Sequence, residues 1–226
     1  MTHKEDFDTP GDALPRPYPG CYWLLPGRVL AGEHPARHGL ADLAGRLKAL
    51  QQTGVSHIVD LTSEHDRLPQ CAPAGALRLS HPIVDFGIPT PAGMRATLDA
   101  IAQALQAGGV VYIHCKAGVG RTGTVAGCLL VESGFAPDEA LALLQRKWQV
   151  AQQREHLPLT PETDDQRAFI ATWAAQLRSA SSRPCNAPSA ARGPAAGTRW
   201  PHREPRARGP RPAGGGSCAG GRAAGR

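Results

Sequence analysis

The sequence has no apolar run long enough to cross a bilayer, because the longest, Val125–Val131, is far shorter than the roughly 20 residues of a helical span. Its first residues lack the basic and then apolar pattern of a secretory signal. The six cysteines are widely spaced and form neither a CxxC pair nor a His/Cys metal pattern. We therefore expect no membrane span, no metal or other cofactor, and a cytoplasmic location in which thiols stay reduced.

Lysine is absent from residues 179–226, and Glu204 is their one acidic residue. Nine arginines give this tail a formal charge of +8, whereas residues 1–178 carry 16 basic and 18 acidic residues. Because Ala, Gly, Pro and Arg dominate the tail, it offers too little apolar area to offset chain entropy and is predicted to be disordered. The tail either binds nucleic acid or another anionic surface, or it is a solvated extension without a binding role. We favour the solvated extension.

The remaining sequence predicts a flexible arm over residues 1–19 and one domain over residues 20–178. Strand patterns alternate with helical patterns before several helices follow one another. This order predicts an α/β fold with a central, mostly parallel sheet flanked by helices. The strands are predicted at 21–25, 28–32, 55–62, 77–84 and 108–113, and the helices at 36–52, 91–107, 121–133, 137–150 and 161–178.

The segment His114–Thr122 lies between an apolar strand pattern and an apolar helix pattern. It opens with the Cys115 thiol and ends with the Arg121 guanidinium, whose planar fork suits bidentate contact with phosphate. The amides between them can turn inward as an anion nest, which the following helix N-terminus strengthens. These groups favour a thiolate nucleophile beside a bound phosphate. The predicted phosphate-binding residues are Lys116, Ala117, Gly118, Val119, Gly120 and Arg121.

His-Cys-Lys-Ala-Gly-Val-Gly-Arg-Thr resembles the signature of the cysteine-based protein tyrosine and dual-specificity phosphatases, closest to the dual-specificity branch. The resemblance covers about residues 20–178 and implies the phosphatase loop between a central strand and a helix. It also implies hydrolysis through a phosphocysteine, on phosphotyrosine and also phosphoserine or phosphothreonine of proteins. Cys115 would attack phosphorus, Arg121 would bind the phosphoryl oxygens, and Thr122 would hydrogen-bond the sulfur to assist its release. His114 would support the loop from behind.

Asp85 is the candidate proton donor, 30 positions before Cys115, where the strand pattern 77–84 runs into a Gly/Pro loop. The leaving oxygen needs a general acid, and the water of the second step needs a base. Pro-Ile-x-Asp before such a loop resembles the acid loop of these phosphatases. The alternative is an aspartate that only forms a turn. Asp60, the rival carboxylate, is interpreted as a structural residue at a strand end.

Five further residues around the predicted site have competing interpretations. Gln166 either caps the last helix or, by resemblance, orients the hydrolytic water. Glu64 is a candidate partner for Arg121, although a solvated glutamate is the better interpretation. Val119 is placed on the rim of the loop, where a second lysine would favour inositol lipids, so it favours phosphoproteins. Cys71 or Cys128 could protect the nucleophile through a transient disulfide, although Cys128 is better interpreted as core.

The sequence leaves three other functions open. The first is hydrolysis of non-protein substrates such as phosphoinositides, phosphoglycans or RNA 5′ ends. The second is a phosphate-binding pseudoenzyme, against which the presence of Cys115, Arg121 and Asp85 argues. The third is a nucleic-acid-binding protein that acts through its basic tail.

Overall fold

A computed structural model describes residues 4–8 and 14–181 of the 226-residue chain. The strands are β1 (Cys21–Leu25), β2 (Val29–Glu33), β3 (Val55–Asp60), β4 (Leu77–Ser80) and β5 (Val110–Cys115). The helices are α1 (Lys4–Asp8), α2 (Leu43–Gln52), α3 (Pro91–Gln106), α4 (Gly120–Glu132), α5 (Pro137–Trp148) and α6 (Asp164–Ser181). Within the described residues, no helix is both long and apolar enough to cross a membrane.

The five strands form one sheet in the order β1-β2-β5-β3-β4. Only the β1–β2 hairpin is antiparallel, and the other three pairings are parallel. The predicted α/β fold with a mostly parallel sheet is therefore confirmed. Because β5 is the central strand, its last residue, Cys115, lies at the carboxyl edge of the sheet, where open α/β sheets bind ligands.

Helix α4 is the central helix of the layer that covers the sheet behind the Cys115 loop. It packs against α3, α5 and α6, and its residues Gly120–Val131 are all buried. A helix that is apolar on every side needs neighbours on every side. Gly127 permits a close approach of α6, since a Cβ built there would lie 2.3 Å from Ile170 Cδ1.

The flexible arm predicted over residues 1–19 was wrong for the part of it that the structure describes. Lys4–Asp8 forms a helix, and its Phe7 side chain is fully buried against Phe135 in an edge-on contact. Tyr18 is also buried. The polar composition of the segment concealed these two aromatic anchors, each of which removes a large apolar area from water.

Several element boundaries also differ from the prediction. The helix predicted from residue 36 begins at Leu43, after Gly39 adopts a φ of 105°. The strand predicted to residue 84 ends at Ser80, since Pro82 has no amide to donate to a ladder. Helix α6 continues three residues beyond the predicted domain end, and the predicted disordered tail otherwise lies outside the described residues.

Candidate active site

The loop after β5 is folded around the sulfur of Cys115. The Cys115 residue is only 2% exposed, and the Gly118 amide donates a hydrogen bond to its Sγ at 3.2 Å. Gly118 has a φ of 78°, in the left-handed region that favours glycine, and a Cβ there would lie 2.3 Å from the Gly32 carbonyl carbon. The loop therefore rests on the end of β2 and directs an amide at the sulfur, which is the arrangement of an anion nest.

Arg121, in the first turn of α4, is 1% exposed and makes four hydrogen bonds. Its two terminal nitrogens donate to the two carboxylate oxygens of Asp66, at 2.7 and 2.9 Å. Nη1 also donates to the Ile83 carbonyl at 3.1 Å, and Nη2 donates to Asp85 Oδ1 at 2.7 Å. Burial would lower the pKa of Arg121, but the bond to Asp66 and the nearby charge of Cys115 raise it, so the guanidinium stays charged.

Asp85 reaches this site from the loop that follows β4. Its side chain is 46% exposed, and its Oδ1 accepts both from Arg121 and, at 3.2 Å, from the Phe86 amide. The structure thus brings the predicted acid to the arginine of the Cys115 loop. An entering phosphate would compete with Asp85 for Nη2 of Arg121, and the displaced carboxyl group would then be free to face the leaving oxygen.

The comparison with known proteins now identifies the domain. Residues 18–170 match the family described as "PTP-SAK: Swiss Army Knife protein, DSP-PTPase phosphatase domain". The chain belongs to this family. The predicted relation to dual-specificity phosphatases is therefore confirmed.

Three relatives illustrate how far the likeness extends. "Dual specificity protein phosphatase CDC14AB" of Danio rerio is 30% identical over 131 residues, which are 54% of this chain but only 21% of that protein, so the chain spans about a fifth of its length. The crystal structure of Tk-PTP in the active form is 26% identical, with a TM-score of 0.57, covering 70% of this chain and 98% of that one. PTPMT1 in complex with PI(5)P shares the fold at 20% identity, with a TM-score of 0.55 and coverages of 69% and 96%.

Asp66 is a partner of Arg121 in this PTP-SAK domain that the sequence did not predict. Glu64 was a candidate partner for Arg121, but a solvated glutamate was the favoured interpretation. The structure shows Glu64 exposed. Asp66 instead ends a short 3-10 turn, where its Oδ2 accepts from the Ser63 amide at 2.8 Å and from the Ser63 hydroxyl at 3.2 Å. Burial would raise the pKa of Asp66, but the hydrogen bonds from Arg121 and Ser63 lower it to about 2. The Ser-x-x-Asp capping pattern was the available signal.

The Asp66–Arg121 pair is expected to make the folding stability of the domain depend on acid pH. The folded pKa of Asp66, about 2, lies below its ordinary value near 4. The charged pair therefore stabilises the fold above about pH 4, and this contribution is lost as the pH falls towards 2. Urea unfolding of the wild type and of Asp66→Asn between pH 2 and 7 should show stabilities that differ most near neutrality and converge in acid. A gap between the two that stays constant down to pH 2 would contradict this role.

Thr122 lies in the first turn of α4, and the side-chain amide of Gln166 lies close to Gly120 at the start of the same helix. The Thr122 hydroxyl is buried without a hydrogen-bond partner among the described residues, so the predicted bond to the Cys115 sulfur is not made in this structure. Gln166 forms the predicted capping box with Thr163, through two bonds of 3.2 Å. Its Nε2 also donates to the Gly87 carbonyl at 3.1 Å, which ties α6 to the acid loop.

Val119 does not lie on the rim of the loop, and that prediction was wrong. Its side chain is fully buried in the hydrophobic core, and Val119 occupies the N-cap position immediately before α4. It therefore gives no information about the charge of the substrate. Lys116, by contrast, is exposed.

Behind the loop, His114, Asp60 and His34 form a buried polar cluster. Their ligand-type atoms lie within 4.8 Å of one another, a grouping that cysteine and histidine spacing did not predict. Asp60 accepts from the Thr62 amide at 2.8 Å and from Arg78 Nε at 2.9 Å, and His114 Nδ1 lies 3.8 Å from Asp60 Oδ1. Burial lowers the pKa of His114, so it is neutral at pH 7. These contacts agree with a structural role for Asp60 and a supporting role for His114.

Proposed function

We propose that this domain hydrolyses phosphomonoesters in the cytoplasm through a phosphocysteine intermediate, with phosphotyrosine of proteins as its main substrate and phosphoserine or phosphothreonine as further ones. The observation that carries the proposal is the convergence of three groups at the carboxyl end of β5. The Cys115 sulfur accepts from a loop amide, Arg121 is held rigidly by Asp66, and Asp85 contacts the same guanidinium. Family membership supports the same reaction class.

In the first step, the Cys115 thiolate attacks phosphorus in line with the leaving oxygen. The S–P bond forms as the P–O bond breaks, and Asp85 gives its proton to the departing oxygen, which leaves as a hydroxyl group. The loop amides and Arg121 hold the equatorial phosphoryl oxygens, where negative charge is greatest in the transition state. Asp66 contributes by keeping the guanidinium at one position and in one orientation.

In the second step, water attacks the phosphocysteine, Asp85 accepts its proton, and the S–P bond breaks to release inorganic phosphate and the thiolate. Thr122 is suited to assist, since its buried hydroxyl has no other partner within the described residues. Gln166 is suited to orient the water, because its side-chain amide lies against the loop: a Cβ built on Gly120 would be 2.7 Å from its Oε1. Both roles belong to this proposal.

An exposed apolar rim on the acid loop favours an aromatic leaving group. Val84, Phe86 and Ile88 leave large apolar side chains exposed on the acid loop, at 69%, 61% and 48%. Phe86 also has a φ of 58°, an uncommon conformation for a bulky residue and one that concentrates at functional sites. An aryl ring is long enough to bring a phosphate to the buried Cys115 sulfur and can pack on this apolar rim, whereas a short seryl side chain reaches less far.

The test is to measure hydrolysis by the purified full chain in reductant and a metal chelator. We expect turnover of a phosphotyrosine peptide with a kcat/KM at least about tenfold above that of the matching phosphoserine peptide, and a Phe86→Ala variant that loses much of this preference. Acid quenching during turnover should trap phosphate on Cys115, detected by mass spectrometry. Faster hydrolysis of a soluble phosphoinositide or an RNA 5′ phosphate would overturn the assignment of proteins as the substrates. Failure on every phosphomonoester would overturn the proposed activity itself.

A further inference from the structure

The outer side of the Cys115 loop is held by hydrogen bonds to two successive carbonyl groups. The Lys116 carbonyl accepts from the His34 amide at 3.1 Å. The Ala117 carbonyl accepts from two side chains, Arg37 Nη1 at 3.2 Å and Gln153 Nε2 at 3.3 Å. Both side chains come from outside the loop, Arg37 from the segment after β2 and Gln153 from a 3-10 turn after α5.

The Ala117 carbonyl and the Gly118 amide belong to the same peptide group. A trans peptide is planar, and its C=O and N–H point in opposite directions. Holding the Ala117 oxygen from outside therefore directs the Gly118 hydrogen inward, where it meets the Cys115 sulfur at an N···S distance of 3.2 Å. Hydrogen bonds at the two ends of one peptide also polarise each other, so the outer bonds strengthen the inner one.

Glu33 anchors the two donors. Its side chain is 3% exposed, and its residue is the direct neighbour of Cys115 in the β2–β5 pairing. Oε2 accepts from Gln153 Nε2 at 2.9 Å and lies 3.5 Å from Arg37 Nη1, while Oε1 accepts from Arg46 Nη1 at 2.6 Å. A buried carboxylate beside an anion-binding loop is unfavourable by itself, and here its charge is matched by the two arginines whose nitrogens it holds in place.

On the outer side of the loop, the hydrogen bonds to the Ala117 carbonyl are not supplemented by close packing. Glu33, Arg37, Arg46 and Gln153 line a cavity of about 420 Å³, so the two donors have open space rather than core side chains on that side. The orientation of the Ala117–Gly118 peptide thus depends on its hydrogen bonds to a greater degree than it would in a close-packed environment.

We propose that Arg37 and Gln153 are positioning residues for the nucleophile: with Glu33 as their anchor, they clamp the Ala117 carbonyl so that the Gly118 amide stabilises the Cys115 thiolate and a bound phosphate. The effect on turnover rests on the proposed function. The effects on thiol reactivity and on phosphate binding do not, because both can be measured without turnover.

The test compares Arg37→Met, Gln153→Met and the double variant with Gln149→Met, a matched change at an exposed glutamine whose amide donates to the Gln145 carbonyl. Alkylation of Cys115 by iodoacetamide is followed by mass spectrometry across pH, with and without inorganic phosphate. Because either donor alone still holds the carbonyl, we expect each single variant to weaken phosphate protection about threefold and the double variant about tenfold or more. The pH midpoint of alkylation should rise in the same order, and Gln149→Met should match the wild type.

Arg37→Lys is a second test of the hydrogen bond from position 37. Because lysine retains a cationic donor, this variant should recover part of the phosphate protection that Arg37→Met loses. Arg121, whose pKa is raised by the charge of Cys115, is unchanged in every variant. A folded double variant with the wild-type alkylation midpoint and wild-type phosphate protection would overturn the clamp, even if its melting temperature were lower. If Gln153→Met does not fold, the partly exposed Arg37 gives the same test through its methionine and lysine variants. If the variants show these shifts but the wild type hydrolyses no phosphomonoester, only the proposed function is overturned.

Discussion

Replacing Cys115 by serine is expected to lower hydrolysis of an aryl phosphate by a factor on the order of a thousand or more, because the covalent route loses its nucleophile. The serine hydroxyl is close in size to the thiol but is not deprotonated near neutral pH. The Gly118 amide and Arg121 remain in place, so the variant should still bind phosphate. The measurements are steady-state hydrolysis and phosphate binding on the same folded preparation.

The matched control for that change is Cys71→Ser. Burial, followed by the charge of Asp60, raises the pKa of the Cys71 thiol to about 11, so Cys71 is protonated at neutral pH. It is half-buried, and its sulfur lies 3.8 Å from His34 Nε2 rather than in the loop. Activity of Cys71→Ser should therefore stay within about twofold of wild type, as for a site away from the chemistry. Retained hydrolysis in Cys115→Ser, or its loss in Cys71→Ser, would show that the nucleophile has been misassigned.

The sequence predicted the parts of the site that a short segment encodes. Cys115 and Arg121 belong to one strand–loop–helix unit, so their relation is set by local backbone geometry. The order of strand and helix patterns also predicted the parallel sheet, since parallel strands need crossover helices between them. Asp85 was found because the resemblance supplied an acid loop, and the structure brings it to Arg121.

The parts that were missed depend on contacts between distant segments. Asp66 and Gln153 meet the loop only after β3 and α5 have packed, and no local pattern states which surface each will face. Val119 was misplaced for a related reason, because a residue at the junction of a loop and a helix can point either way. Its burial was decided by the core around α4 and not by the motif. Phe7 was missed because its apolar partner, Phe135, follows α4.

Replacing Asp85 by asparagine is expected to lower hydrolysis of a phosphotyrosine peptide by about a hundredfold or more, within the range of a lost general acid. Hydrolysis of an aryl phosphate with an activated leaving group should fall much less, because that oxygen departs without a proton. Glu162 is the matched control, since it is a second carboxyl group near Asp85 and its pKa is raised by burial and by the Asp85 charge. Glu162→Gln should not distinguish the two substrates. Equal losses on both substrates in Asp85→Asn would contradict the assignment of the acid.

The same Asp85→Asn variant should bind inorganic phosphate more tightly than the wild type. In the structure, the Asp85 carboxylate occupies Nη2 of Arg121 at 2.7 Å, so an entering phosphate must displace a negatively charged competitor. An asparagine amide is a weaker competitor, because a charge-assisted hydrogen bond is about twice as strong as a neutral one. Protection of Cys115 from alkylation should therefore need severalfold less phosphate while turnover of the peptide falls. A simple structural disturbance would weaken both properties together, so a rise in affinity with a fall in turnover separates the loss of a proton donor from damage to the loop.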